Sequence, residues 1–85
     1  MPRYIAHVRG KVALWSSIVD APLSPFCDSV EELREYVPRD YRCRLDTLEH
    51  MDEADTLNCN RAGENEAELT AEELLLRYAK EELTI

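Results

Sequence analysis

The stretch Leu69-Thr-Ala-Glu-Glu-Leu-Leu-Leu-Arg-Tyr-Ala-Lys-Glu-Glu-Leu-Thr-Ile85 constrains the fold most, because it carries every start signal of an amphipathic helix. Thr70 is an N-cap and Glu73 stands at N3, so each side chain can satisfy one of the other's unpaired backbone donors. Leu69 before the cap and Leu74 after it form a hydrophobic staple. The spacing predicts a helix over about 70–83. The same grammar in Ser29-Val-Glu-Glu-Leu33 starts a helix at 29. Val30, Leu33 and Val37 supply its apolar stripe, and Pro38 ends it at 37.

Upstream, Tyr4, Ala6 and Val8 alternate with Ile5 and His7, and Val12, Leu14, Ser16 and Ile18 alternate with Ala13, Trp15, Ser17 and Val19. Both runs are rich in β-branched and aromatic residues, which predicts an antiparallel hairpin over 3–19. Gly10-Lys11 is the glycine-first pair of a type II′ turn. Apolar residues lie on both faces of the hairpin, so helices are expected on one face and a partner or second copy on the other. Asp20-Ala-Pro-Leu-Ser-Pro-Phe-Cys-Asp28 has two prolines that should stop any ladder, with Leu23 and Phe26 closing over the core.

Residues 40–51 fit two patterns. Tyr41, Cys43 and Leu45 alternate as in a strand; Tyr41, Leu45, Leu48 and Met51 match helical spacing, and Asp40 can cap the helix. The strand pattern breaks at Asp46, so a helix over 40–51 is the expectation. Residues 52–68 are rich in Asp, Glu, Asn and Gly, with Leu57 as the one apolar anchor, and read as a long acidic loop. The expected fold is α+β: one small domain over 1–85, with an N-terminal antiparallel β-hairpin packed on two or three α-helices.

The formal net charge is -8 and is unevenly spread. Arg3, Arg9 and Lys11 against Asp20 leave the first 27 residues at +2, while 7 basic and 17 acidic residues leave the remainder at −10. Such a field repels phosphate backbones, so direct nucleic-acid binding is disfavoured despite the local cluster Arg39, Arg42 and Arg44. It favours basic partners or simple solubility. Cys27, Cys43 and Cys59 are an odd set that cannot all pair within one chain, and nothing reads as a secretory signal or membrane span. The expected setting is cytoplasmic and reducing.

Chemistry-bearing motifs are sparse. Gly63 placed at the EF-hand turn puts Ala62 and Leu69 at ligand positions, so calcium fails on spacing. The cysteines form no C-x2-4-C pair, which leaves zinc on Cys43, His50 and Cys59 as an outlying alternative. Phosphate cradles are absent with only Gly10 and Gly63 in the chain. A cysteine beside a histidine would need a geometry that sequence does not give. No catalytic residue, metal ligand or cofactor is assigned, and the chain is read as a non-enzyme.

Candidate partner-binding residues are Trp15, Asp20, Asp52, Glu53, Asp55, Asn60, Arg61, Glu64 and Glu66. Trp15 reads first as a core residue, and as an interface anchor if it lies on the uncovered hairpin face. Asn60-Arg61-Ala62-Gly63 reads as a turn with Gly63 at positive φ and Arg61 paired to a local acid.

Three blocks, Trp15-Ser-Ser-Ile-Val-Asp-Ala-Pro22, Asn60-Arg-Ala-Gly63 and Leu69-Thr-Ala-Glu-Glu-Leu74 ending in Tyr78, resemble small accessory proteins encoded by bacteriophages and prophages, particularly of actinobacteria. The resemblance implies a setting, in which compact acidic proteins bind and alter a host or defence protein. Small phage inhibitors of CRISPR and other defence systems are similar in size and charge. The leading expectation is therefore an acidic protein-binding module that inhibits or modulates a host or defence protein, in one variant by mimicking nucleic acid toward a basic surface. The alternative is a structural or regulatory homo-oligomer, such as a homodimer, paired through hairpin edges or apolar helix faces.

Overall fold

The computed structural model describes residues 3–61 and 68–80. The fold is α+β, and its hairpin packs against helices as the sequence predicts. Strands β1 (Arg3–Val8) and β2 (Lys11–Ser16) pair antiparallel in the register Tyr4↔Trp15, Ile5↔Leu14, Ala6↔Ala13 and Val8↔Lys11. That register puts Arg9 and Gly10 at the centre of the turn, both with positive φ (51° and 79°). Positive φ at both positions is the type I′ requirement, so the expected type II′ turn on Gly10-Lys11 is corrected by one residue.

Two short strands extend the sheet to the order β3-β2-β1-β4. Strand β3 (Ala21–Pro22) pairs antiparallel with β2, and β4 (His50–Met51) pairs parallel with β1. Pro22 is tolerated because it lies on the sheet edge. The proline segment is thus less irregular than expected: Cys27 also bridges Val12, and Phe26 bridges Ala79. Phe26 joins the core, whereas Leu23 stays exposed.

The helices are short. α1 (Val30–Leu33) begins where Ser29 Oγ accepts from the Glu32 N–H at 3.2 Å, and gives way to turns before residue 37. The helix expected over 40–51 is not one element. It divides into α2 (Arg39–Arg42), a 3-10 turn at Leu45–Thr47 and the edge strand β4. Burying Leu45 while returning the chain to β1 wins over the longer helical period. The acidic segment is not loop throughout either, since α3 (Glu53–Asn58) is capped by Asp52, whose carboxylate accepts from the Asp55 N–H at 2.8 Å. α4 (Ala71–Arg77) carries the expected Thr70–Glu73 capping box but ends before residue 78. The stretch predicted to continue to 83 lies partly outside the described residues.

Both faces of the sheet are buried by the chain itself. Ile5, Val12 and Leu14 pack with Cys27, Leu33, Val37 and Leu45 on one face. Ala6, Val8, Ala13 and Trp15 pack with Phe26, Ala71 and Leu74 on the other, where Met51, Leu57 and Leu69 join them. The two-faced apolar pattern therefore reflects helices on both sides rather than a face left for a partner. No helix among the described residues is long and apolar enough to cross a membrane.

Candidate functional site

The β1–β2 register brings Tyr4 and Trp15 side by side on the face that α3 covers. The next pair along the strands, Ala6 and Ala13, is small, and α3 lies against β1 there. Toward the far end of α3 the packing opens into a groove of about 400 Å³. Tyr4, Trp15 and Ser17 from the sheet, Glu49, His50 and Met51 from the β4 edge, and Asp55, Asn58 and Cys59 from α3 and its end line it. This volume is within the range of small-ligand sites, roughly 300–1,000 Å³.

The groove is acidic and partly apolar. Among the described residues, the Glu49 and Asp55 carboxylates have no ion pair or side-chain hydrogen bond. Other acids are engaged: Asp28 and Glu32 by Lys11 and Lys80, Asp46 by Arg34, Glu53 by Arg9 and Asp20 by Arg61. The side-chain bond from Lys11, with its charge, holds the Asp28 carboxyl below its ordinary range, and the Glu32 bond raises Lys80.

Trp15 is 0% exposed, so it is a core residue forming the groove wall and not a surface anchor. Its Nε1 is buried without a hydrogen-bond partner among the described residues. Asn60 is likewise inside, 1% exposed, with its Nδ2 donating to the Leu69 carbonyl at 2.8 Å. It ties the end of α3 to the residue before the α4 cap, which is a structural role. Asp52 serves as the α3 cap, and Glu53 accepts from the Arg9 backbone N–H at 2.6 Å. These contacts anchor α3 against the hairpin turn.

Asp55 does lie in the groove. Asp20 and Arg61 meet at 3.5 Å, and the Arg61 N–H donates to the Asp20 carbonyl at 3.1 Å, which is the local pairing expected for Arg61. Glu64 and Glu66, and the positive φ expected at Gly63, lie outside the described residues. Of the seven sequence candidates among the described residues, Trp15 and Asp55 line this cavity and the other five do not.

Tyr4, Ser17, Glu49, Met51 and Asn58 were not indicated by sequence as site residues, and His50 and Cys59 were indicated only as ligands of the alternative zinc site. Their convergence depends on β4 pairing with β1, a contact across more than forty residues that no local pattern encodes.

At the same edge, His7 and His50 meet with Nε2 and Nδ1 at 2.6 Å. The ring centroids are 4.9 Å apart, little more than that distance plus the two ring radii, so the rings meet head-on. Head-on nitrogens share a hydrogen, whereas a chelate needs lone pairs converging on a third point. Burial, and after it the neighbouring His50, lowers the His7 pKa.

Among the described residues, no group of three or more His, Cys, Asp or Glu side chains is placed to hold a metal. Cys43, His50 and Cys59 therefore do not assemble the zinc site kept as an alternative. Cys59 and His50 both line the groove, but among the described residues no hydrogen bond joins them, and His50 Nδ1 is engaged by His7. The buried Cys27 thiol is pushed up in pKa by desolvation first and by Glu32 second, which keeps it protonated and unreactive. Comparison of the chain with protein-family models, curated proteins and solved structures finds no match.

Proposed function

We propose that this chain is a non-enzymatic protein-binding module, acting as an inhibitor or modulator of a host or defence protein. The observation that carries the reading is a set of exposed large apolar side chains flanking β3. Ile18 is 65% exposed and Val19 44% exposed in the β2–β3 turn, and Leu23, directly after β3, is 44% exposed. Three large apolar side chains close together in sequence and open to water favour an interaction surface over a solvated turn.

Ser17, which lines the groove, directly precedes Ile18 in the chain. The net charge of -8 supports a partner with a basic surface. The phage setting and cytoplasmic location rest on the sequence resemblance and cysteine usage alone.

The test is a tagged pull-down from host lysate at low and high salt, comparing the chain with an Ile18→Asp/Leu23→Asp variant and an unrelated acidic protein. A partner held at high salt by the chain and released by the variant supports a shaped interface. Capture of only those basic proteins that the acidic control also takes contradicts it.

A homodimer is the second reading, since the same turn could pair with a second copy. Pairing through sheet edges has less support, because β3 and β4 are two residues each and β3 carries Pro22. A monomer mass unchanged over a wide concentration range in light scattering would remove this reading.

A further inference from the structure

We infer that the groove between α3 and the β1–β4 edge receives an arginine side chain of the partner protein. This deepens the protein-binding reading and rests on it. Glu49 and Asp55 both line a cavity of about 400 Å³ that Tyr4, Trp15 and Met51 also line. Neither carboxylate has an ionic partner among the described residues.

The chain's own cations are drawn elsewhere. Arg61, two residues beyond Cys59, pairs with Asp20; Arg9 pairs with Glu53; and Arg3 donates to Tyr41 Oη at 2.7 Å. A carboxylate pair beside an aromatic wall, with no cation of its own, is charge-complementary to a cationic side chain with an apolar stem.

Guanidinium suits this cavity better than ammonium. It is planar, so it can lie against the Tyr4 ring while its fork donates to a carboxylate. It is also more weakly hydrated, so entry into a partly apolar cleft sacrifices less solvation. Lysine would bring a compact, strongly hydrated charge that uses the aromatic wall less well. Asn58 at the rim adds an amide that can bond the partner's backbone.

The probe is Nα-acetyl-arginine N-methylamide, titrated into the full chain by NMR beside its lysine, citrulline and norleucine counterparts. The expected result is saturable shifts at Tyr4, Met51, Asp55, Asn58 and Cys59 with the arginine probe, weakened about fivefold in Glu49→Gln/Asp55→Asn. Both substitutions keep side-chain size at exposed positions, and an unchanged melting temperature verifies the fold. Citrulline binding as tightly as arginine would overturn the inference by removing the charge; lysine binding as tightly would overturn the guanidinium preference. Absence of shifts at the groove residues would overturn the site itself. The protein-binding reading is judged separately, because Ile18→Asp/Leu23→Asp leaves the Glu49 and Asp55 carboxylates untouched.

Discussion

His7 Nε2 and His50 Nδ1 face each other at 2.6 Å across the β1–β4 junction, joining the longest strand pair to a two-residue edge strand. One ring must donate and the other accept, so the contact tolerates at most one proton more than the neutral pair. Two charged rings would present N–H to N–H. The backbone bond from Ile5 N–H to the Glu49 carbonyl, at 2.8 Å, supports the same edge beside the Ile5↔His50 and Ala6↔Met51 strand pairing.

The His7 pKa is lowered by burial first and by His50 second. The folded state therefore takes up a proton there less readily than the unfolded chain. Stability linked to His7 is complete above about pH 6.5 and is lost as the pH falls through the lower folded value. Thermal melts of the chain and a His7→Gln variant between about pH 7.5 and 5 should show the stability difference shrinking or reversing as pH falls. A difference constant across that range would contradict this account.

Trp15 carries a buried indole N–H without a partner among the described residues while packing on the sheet face that α3 covers. Trp15→Ala should cost about 3–5 kcal/mol, the usual range for an emptied aromatic site. Trp15→Phe removes volume and also removes the unsatisfied donor, whose burial costs about 1–3 kcal/mol. Its loss in urea unfolding should be well below half that of the alanine variant. Equal losses would mean that the N–H is satisfied in solution.

Asn60 fastens the segment before α4 through its bond to the Leu69 carbonyl. Asn60→Ala leaves that acceptor without its partner, and the expected loss is about 1–3 kcal/mol in urea unfolding. Amide exchange should accelerate at the start of α4 ahead of the sheet. No loss of stability would show that the contact is solvent-replaceable.

Local grammar was legible where a cap and an apolar stripe coincide. Thr70, Glu73, Leu69 and Leu74 specify the start of α4, and Ser29 that of α1, because those interactions span three to five residues. The hairpin was legible from its alternation, although Arg9 in a left-handed conformation moved the turn by one residue. Asp52 and Asp55 do carry a cap signal for α3, masked by the polar composition around them.

What sequence did not yield was long-range. The two-sided apolar hairpin fits an external partner as readily as an internal helix layer, and only the placement of Leu57, Ala71 and Leu74 decides between them. The groove inherits the same dependence. Asp55 was singled out for its charge, while Glu49, His50 and Met51 enter only because β4 returns to β1 beside Ile5 and Ala6.

The most direct measurement is the affinity of the captured partner for the chain and for Ile18→Asp/Leu23→Asp, by calorimetry at high salt. If the apolar turn is the centre of the interface, affinity falls at least about thirtyfold, the scale of a lost hot spot, while the melting temperature is unchanged. Equal affinity of the two proteins would contradict the account and move the contact surface away from the β2–β3 turn.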